Sequence, residues 1–314
     1  YFDETENIHL VNNYTGIYFN DKYFERGVVK RTRQYKFNGG TSYSLVKEIK
    51  TNSFTGKSDF PDLYLAAAHI TGSVVQSYKK YYYPFFLYLS EETTYGTSGS
   101  PVVVINDYQY NSNGYLIKQT TTDSKGKIKK SLFSYPADYP AGTAFIDDMK
   151  SENILSPPIE KLAYIEEGGV PKIVSGQVFK YNTGGRGELG EVLGLETGST
   201  IPLGSFKFSN RSLGVLPPAG TSSGFSPDSK YQPQIKINNY DPSGNVLEQQ
   251  KYNDVKQSFI WDYKSSYPVA QVVNAPVSDI AYTSFESDGK GNWSYTGEPE
   301  PDDTAPTGRK IFKI

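Results

Sequence analysis

The chain has 314 residues, 15% of them aromatic, and a formal net charge of −2. It has no cysteine, which excludes disulfides, thiolate metal sites and a cysteine nucleophile. The nearly balanced charge gives no basis for general binding to nucleic acid or anionic membrane, and no apolar run reaches the roughly 20 residues of a transmembrane helix. The aromatic residues include 27 tyrosines, which favour half-buried strands.

Alternating apolar and polar residues predict strands in the first part of the chain. A long strand over residues 27–37 turns at Asn38-Gly39-Gly40 and returns over 43–51. Residues 61–90 hold further strand patterns, although the pattern around Ala66 also fits a short helix.

The middle of the chain predicts a three-stranded meander followed by one helix. The meander covers residues 101–135, with turns at 111–114 and 123–126. Residues 142–153 favour a helix with Phe145, Ile146 and Met149 on one face, which ends at Ser156-Pro157-Pro158.

Strand patterns resume after the helix. Residues 159–166 and 173–181 flank Glu167-Gly168-Gly169, a hairpin turn by composition. The glycine-rich stretch 184–190 lacks the Lys-(Ser/Thr) of a phosphate loop, so we interpret it as a loop between strands. Residues 216–227 predict an insertion loop.

One turn pattern recurs along the chain. Tyr240-Asp241-Pro242-Ser243-Gly244 lies between two strand patterns, Tyr110 to Gly114 is a second copy, and Tyr35 to Gly40 is a looser third. We predict a structural role in these turns for Tyr110, Asn111, Gly114, Tyr240, Asp241 and Gly244.

These units resemble the YD repeats of the Rhs family. Ser258-Phe259-Ile260-Trp261-Asp262-Tyr263, followed by Tyr267-Pro268-Val269-Ala270 and Asn274-Ala275, is similar to the last repeats of large surface-exposed Rhs-like proteins of Bacteroidota. The resemblance implies repeats that build a shell around a payload, and export as cargo of the machinery for surface proteins. The units here are few and irregular, and no Asp-Pro-x-Gly self-cleavage boundary of the Rhs core is evident.

The expected fold is all-β, with meandering β-hairpins of YD-repeat type in an elongated or curled sheet and one short helix near 142–153. We predict an N-terminal β segment over 1–140, a helical connector over 141–160 and a second β segment over 161–290. Residues 291–314 are predicted to be a linker and the start of a further domain. The first residue is not methionine, and we expect the chain to be a segment of a longer protein.

Residue types that carry catalysis are scarce, so we predict no catalytic residue, no metal site and no cofactor. The only histidines are His9 and His69, and no His-Glu-x-x-His motif is present. The acidic pairs are interpreted as solvated side chains, because neighbours on a strand point to opposite faces. They are Glu91-Glu92, Asp147-Asp148 and Glu166-Glu167.

The sequence therefore favours a non-catalytic scaffold, shell or adhesin-like display module that is extracellular or at the cell surface. Its expected partners are outer-membrane export or anchoring components, with no nucleic acid and no transmembrane segment. The first alternative is a glycan-binding module, for which Trp293, flanked by Asn292 and Ser294, is the candidate and Trp261 is interpreted as a core residue. The second is the shell of a polymorphic toxin whose active domain lies outside this segment.

Overall fold

Strands dominate the protein in the computed structural model, with 46% of residues in strands and 7% in helices. The predicted all-β fold with one short helix is confirmed. The structure describes residues 11–13, 16–18, 29–54, 63–71, 74–82, 86–97, 99–184, 186–287, 289–306 and 308–313.

The chain forms two compact units. Unit 1 comprises Tyr1–Phe133 and Ala163–Pro171, and unit 2 comprises Ser134–Leu162 and Lys172–Ile314. The four segments predicted from the sequence stay a prediction, because a compact unit need not coincide with a functional domain.

Unit 1 is an antiparallel meander. The strands that begin in it before residue 134 are β1 (Val11–Asn13), β2 (Gly16–Tyr18), β3 (Arg31–Gly39), β4 (Ser42–Phe54), β5 (Leu63–Thr71), β6 (Val74–Tyr82), β7 (Phe86–Thr94), β8 (Val102–Tyr110), β9 (Leu116–Thr122) and β10 (Ile128–Ser134). Their order in the sheet is β3, β4, β7, β8, β9, β10, while β1–β2 and β5–β6 form separate pairs. The stretch around Ala66, ambiguous from sequence, is therefore a strand.

Opposite charges lie across the first three strands of this meander. Arg33 Nε donates to Glu48 Oε1 at 2.6 Å, and Arg31 Nε lies 3.5 Å from the same oxygen. Lys50 Nζ lies 3.5 Å from Glu48 Oε2 and 2.9 Å from Glu91 Oε1. The hydrogen bond from Arg33 lowers the pKa of Glu48. Arg31 and Arg33 on β3 are thus both paired with the carboxylate of Glu48 on the adjacent strand β4.

After helix α1 (Ala144–Ser151) the chain forms the strands β11 (Glu160–Glu167) and β12 (Val170–Tyr181). The turn between them is Gly168-Gly169, with φ of +60° and +79°. Two consecutive positive φ values are what a tight hairpin needs and what glycine supplies without steric cost.

Unit 2 continues as a second antiparallel meander. Its further strands are β13 (Leu189–Leu195), β14 (Ile201–Pro202), β15 (Tyr231–Tyr240), β16 (Val246–Lys251), β17 (Lys256–Asp262), β18 (Tyr267–Val273), β19 (Glu300–Pro301) and β20 (Lys310–Ile311). The sheet order is β12, β13, β15, β16, β17, β18, with β14 paired to β12 and β19 paired to β20.

Helix α1 (Ala144–Ser151) covers the core of unit 2. Ile146 and Met149 are fully buried and pack with Tyr139 and Ile159, while Phe145 lies at the margin of the cluster. The structure confirms the predicted helix and shortens it by two residues at each end.

The long connection between β14 and β15 has little regular structure, yet it contributes to the core. Phe206 and Phe208 are fully buried, and the ring of Phe206 lies 6.0 Å from that of Tyr231. The insertion loop predicted over 216–227 is the second half of this connection.

Candidate functional site

The turn between β15 and β16 is a self-contained hydrogen-bonded unit. The amide of Asp241 donates to the carbonyl of Asn245 at 2.9 Å, and the amide of Gly244 donates to the carbonyl of Asp241 at 3.0 Å. The carboxylate Oδ1 of Asp241 accepts the amides of Ser243 and Asn245, each at 2.8 Å. Burial alone raises the pKa of Asp241, but its hydrogen bonds with Asn245 and Ser243 outweigh burial, and the pKa lies below its usual value. One aspartate therefore organises the turn.

The turn between β8 and β9 in unit 1 has the same four hydrogen bonds. The amide of Asn111 donates to the carbonyl of Tyr115, and the amide of Gly114 donates to the carbonyl of Asn111, each at 2.9 Å. Its side-chain Oδ1 accepts the amides of Asn113 and Tyr115 at 3.0 and 2.9 Å. The resemblance between the two sequence segments thus corresponds to one local structure.

The tyrosine that precedes each of these turns bonds to the adjacent strand. Tyr110 Oη donates to the carbonyl of Leu87 on β7 at 3.0 Å, and Tyr240 Oη donates to the carbonyl of Leu189 on β13 at 2.7 Å. In both cases the acceptor strand is the sheet neighbour that precedes the tyrosine in the chain. Burial raises the pKa of both tyrosines, so both hydroxyls remain protonated donors.

A third turn has the same bonds but no tyrosine. The amide of Asp123 donates to the carbonyl of Lys127 at 3.0 Å, and the amide of Gly126 donates to the carbonyl of Asp123 at 2.9 Å. The side-chain Oδ1 of Asp123 accepts the amides of Lys125 and Lys127. Thr122 stands where the other two turns have tyrosine. Without the aromatic residue, this turn lacks the sequence pattern that the other two share.

The looser copy at Tyr35 to Gly40 is a different kind of turn. Gly39 pairs with Ser42 in the hairpin register, and Gly39 and Gly40 have φ of +107° and +62°. This turn depends on glycine backbone conformations and not on a side-chain acceptor, which explains why its sequence matches poorly.

The acceptor at Asp241 gives the first testable prediction. Asp241→Asn retains Oδ1, as Asn111 does natively, but loses the Oδ2 that accepts Asn245 Nδ2, so we expect a loss in unfolding free energy of about 0.5 kcal/mol. Asp241→Ala leaves two turn amides without their acceptor and should cost about 1–2 kcal/mol. Chemical denaturation of both variants measures the difference. Equal losses in the two variants would show that the side-chain oxygen does not organise the turn.

A buried carboxylate joins three segments of unit 2. Glu160 at the start of β11 is fully buried; its Oε1 accepts the hydroxyl of Tyr231 at 2.6 Å, and its Oε2 accepts the amide of Ser209 at 2.7 Å. The Ser209 hydroxyl lies 2.6 Å from the hydroxyl of Tyr139, which lies 2.7 Å from that of Ser134. The carboxylate thus joins β11, the loop before β15 and β15 itself, and the hydroxyl contacts extend the network to the segment before α1.

Burial dominates the electrostatics of this network. It raises the pKa of Glu160 to about 7, although hydrogen bonds from Ser209 and Tyr231 act in the opposite direction and Asp228 adds to the rise. Burial likewise raises the pKa of Tyr139 and Tyr231. The carboxyl group therefore titrates near neutral pH, where ordinary glutamates are fully ionised.

Sequence reasoning did not identify Glu160, although a signal existed. Along β11 the alternation puts Glu160 on the same face as Leu162 and Tyr164, which are buried. The ring of Tyr231, which bonds to Glu160, also requires a residue without a side chain on β12. A Cβ at Gly176 would lie 2.5 Å from the Tyr231 hydroxyl. Glycine at position 176 thus permits the approach of Tyr231 to Glu160.

The two tryptophans have different environments. Trp293 is 56% exposed and follows a tight turn in which its amide donates to the carbonyl of Lys290 at 2.9 Å. Trp261 on β17 is half-buried, and its indole Nε1 donates to the carbonyl of Val246 at 2.9 Å. The ring of Trp293 is thus the more accessible to a ligand.

The acidic pairs singled out in the sequence make local structural contacts. Glu91 and Glu92 pair with Lys50 and Lys47, Asp147 and Asp148 accept the amides of Gly142 and Gly184, and Glu166 pairs with Lys130. Among the residues that the structure describes, no cluster of three or more His, Asp or Glu is placed to hold a metal ion. His9 lies outside the described residues, and His69 has its backbone in β5.

Comparisons with protein-family models and with curated proteins gave no match to this chain. Within the described part of the chain, no helix has the length and apolar character needed to cross a membrane.

Proposed function

We propose that the chain is a non-catalytic structural segment of a large secreted or cell-surface Rhs-like protein, serving as a scaffold, shell or adhesin-like display module. It is exported as cargo of a secretion system for surface proteins, and its partners are outer-membrane export or anchoring components. The resemblance of residues 258–275 to the last repeats of the Bacteroidota proteins supports this proposal.

The observation that carries the proposal is the recurrence of one turn structure at Asn111 and at Asp241. Each turn has the same four hydrogen bonds, and each is preceded by a tyrosine that bonds to the adjacent strand. A single hairpin cannot bury its own apolar face, so hairpins of this kind gain stability by adding to a neighbour. Such an architecture favours extension of a scaffold over formation of a catalytic cleft.

Surface display is tested in native cells. A short epitope is inserted after Gly40, at the exposed tip of the β3–β4 hairpin, where we expect it to preserve the strand pairing. We expect antibody to label intact cells and proteolysis of intact cells to remove the label, with a cytosolic protein as the unlabelled control. Labelling that requires permeabilised cells would contradict display and export.

The exposure of Trp293 favours glycan binding as a second candidate function, because an exposed indole can stack on a sugar ring. Titration with surface polysaccharides should then change tryptophan fluorescence in the native protein and in Trp261→Phe, but not in Trp293→Ala. An identical response in Trp293→Ala would eliminate Trp293 as the binding residue.

A further inference from the structure

A cleft of about 500 Å³ lies in unit 2 between the loop that joins β12 to β13 and the Asp241 turn. Its polar and apolar lining is contributed by Arg186, Glu188, Tyr240, Pro242 and Ser243. Clefts that bind small molecules typically measure about 300–1,000 Å³, so this volume accommodates a few sugar residues.

Arg186 is positioned in the cleft by the turn itself. Its Nη1 donates to the carbonyl of Pro242 at 2.6 Å and lies 3.6 Å from Glu188 Oε1. The side chain remains 53% exposed, and its Nε and Nη2 groups have no hydrogen-bond partner among the described residues. The protein thus fixes one edge of the guanidinium group and leaves the other donors for a ligand.

The charges of the lining cancel. Arg186 contributes one positive charge and Glu188 one negative charge, while Ser243 adds a hydroxyl group. A ligand with many hydroxyl groups would find both donors and acceptors here. A strongly anionic ligand would instead meet the Glu188 carboxylate, which offsets the charge of Arg186.

An exposed aromatic pair adjoins the same turn. Tyr263 and Tyr267 are 45% and 64% exposed, and their rings lie edge to face with centroids 6.1 Å apart. Asn245 Nδ2 links this hairpin to the cleft turn, since it donates to Ser265 O at 2.7 Å and to Asp241 Oδ2 at 2.9 Å. One asparagine therefore connects the tyrosine hairpin and the cleft turn.

The hairpin that carries the tyrosines has an unusual backbone. Tyr263, Lys264 and Ser265 have consecutive φ values of +54°, +58° and +58°. Each left-handed residue other than glycine costs about 1–2 kcal/mol, and such conformations cluster at binding sites. The amide of Ser266 donates to the carbonyls of Asp262 and Tyr263 and closes the turn.

We infer that the cleft and the tyrosine pair together form a binding site for a neutral oligosaccharide. The apolar faces of the sugar rings stack on Tyr263 and Tyr267, and the sugar hydroxyl groups bond to Arg186, Glu188 and Ser243. This site is distinct from Trp293 and independent of the scaffold proposal, which is tested by surface labelling alone.

Calorimetric titration and saturation-transfer NMR with neutral hexasaccharides of glucose, mannose and xylose test the site. We expect at least one of them to bind the native protein, with saturation passing from the aromatic protons of tyrosine to the protons of the bound sugar. Tyr267→Ala and Glu188→Gln should each weaken that binding about tenfold. The matched control is Tyr43→Ala, since Tyr43 is also 64% exposed but lies in unit 1.

Glu188→Gln preserves shape and is expected to fold, which separates loss of binding from loss of structure; thermal melting confirms folding in each variant. The inference is overturned if no hexasaccharide binds at millimolar concentration. It is also overturned if the cleft variants bind like the native protein while Trp293→Ala does not. Tighter binding of an anionic polysaccharide such as polygalacturonate would overturn the neutral class of ligand.

Discussion

Glu160→Gln should make unit 2 more stable at neutral pH and remove a pH dependence that the native protein has. The amide is isosteric with the carboxyl group: its oxygen can accept the amide of Ser209, and its NH₂ group can donate to the Tyr231 hydroxyl, which can serve as an acceptor. Glutamine therefore keeps one hydrogen bond to each buried partner without bringing a charge into the core, while the Tyr231 proton loses its native acceptor.

The direction of the pH effect follows from the raised pKa. Because burial raises the pKa of Glu160 to about 7, the folded state holds the proton more tightly than the unfolded state, where the pKa is near 4.5. The group therefore contributes stability that is fully present below pH 4.5 and is lost as the pH rises to about 7. From these two values the loss is about 3 kcal/mol. Denaturant unfolding of native protein and Glu160→Gln between pH 4.5 and 8 measures it.

Glu160→Ala is the corresponding truncation. It leaves the Ser209 amide and the Tyr231 hydroxyl without their acceptor and opens a void at a fully buried position. We expect a loss of about 3–5 kcal/mol at pH 4.5. The loss shrinks by about 3 kcal/mol toward pH 8, because ionisation of Glu160 lowers the stability of the native protein and the alanine variant has no such group. Parallel stability profiles for native protein and Glu160→Gln would show that the carboxyl group does not titrate in this range. A stable alanine variant would show that the network is dispensable.

The second large effect is expected at Gly114. Gly114 and Gly244 occupy the same position in two turns with the same hydrogen bonds and have φ of +80° and +88°. A Cβ at Gly114 would lie 2.8 Å from Cζ of the buried Phe86, whereas a Cβ at Gly244 meets no atom within 4 Å. Gly244→Ala should lower the unfolding free energy by about 1 kcal/mol, the cost of holding alanine in the left-handed backbone conformation. Alanine at 114 adds overpacking and should cost about 3 kcal/mol in total.

Denaturant unfolding, with hydrogen exchange of the flanking strands, measures both glycine variants. Gly244→Ala is the control for Gly114→Ala, because both variants place alanine in the same left-handed backbone conformation. The larger cost should fall on β8 and β9, next to Phe86, whose ring lies 4.7 Å from that of Tyr110. Equal costs would mean that Phe86 moves away without penalty and that the aromatic contact does not restrain the turn.

Local patterns sufficed for the repeated turns, many of the strands and the helix, whereas the strand Leu189–Leu195 was not predicted. Asp241, Asn111 and their glycines were predictable because a side-chain acceptor and a positive φ are needed within five residues of chain. The helix face with Ile146 and Met149 follows from a period of 3.6 residues in the same way.

Long-range partners could not be predicted. The burial of Glu160 depends on Tyr231, 71 residues away, and on the glycine that lets that ring approach. Phe206 and Phe208 lie in an irregular connection with no period to indicate which face is buried. The Arg186 cleft likewise requires two loops that are 55 residues apart in the chain. Only their position in the folded sheet places these residues together.

The direction of the tyrosine bonds bears on how the protein can fold. Tyr110 reaches back 23 residues to Leu87, and Tyr240 reaches back 51 residues to Leu189. The carbonyl that accepts each tyrosine hydroxyl has therefore already been synthesised when the turn appears. These two hairpins can therefore bond to the preceding strand as the chain emerges from its amino end, whereas the buried Glu160 must wait for Ser209 and Tyr231.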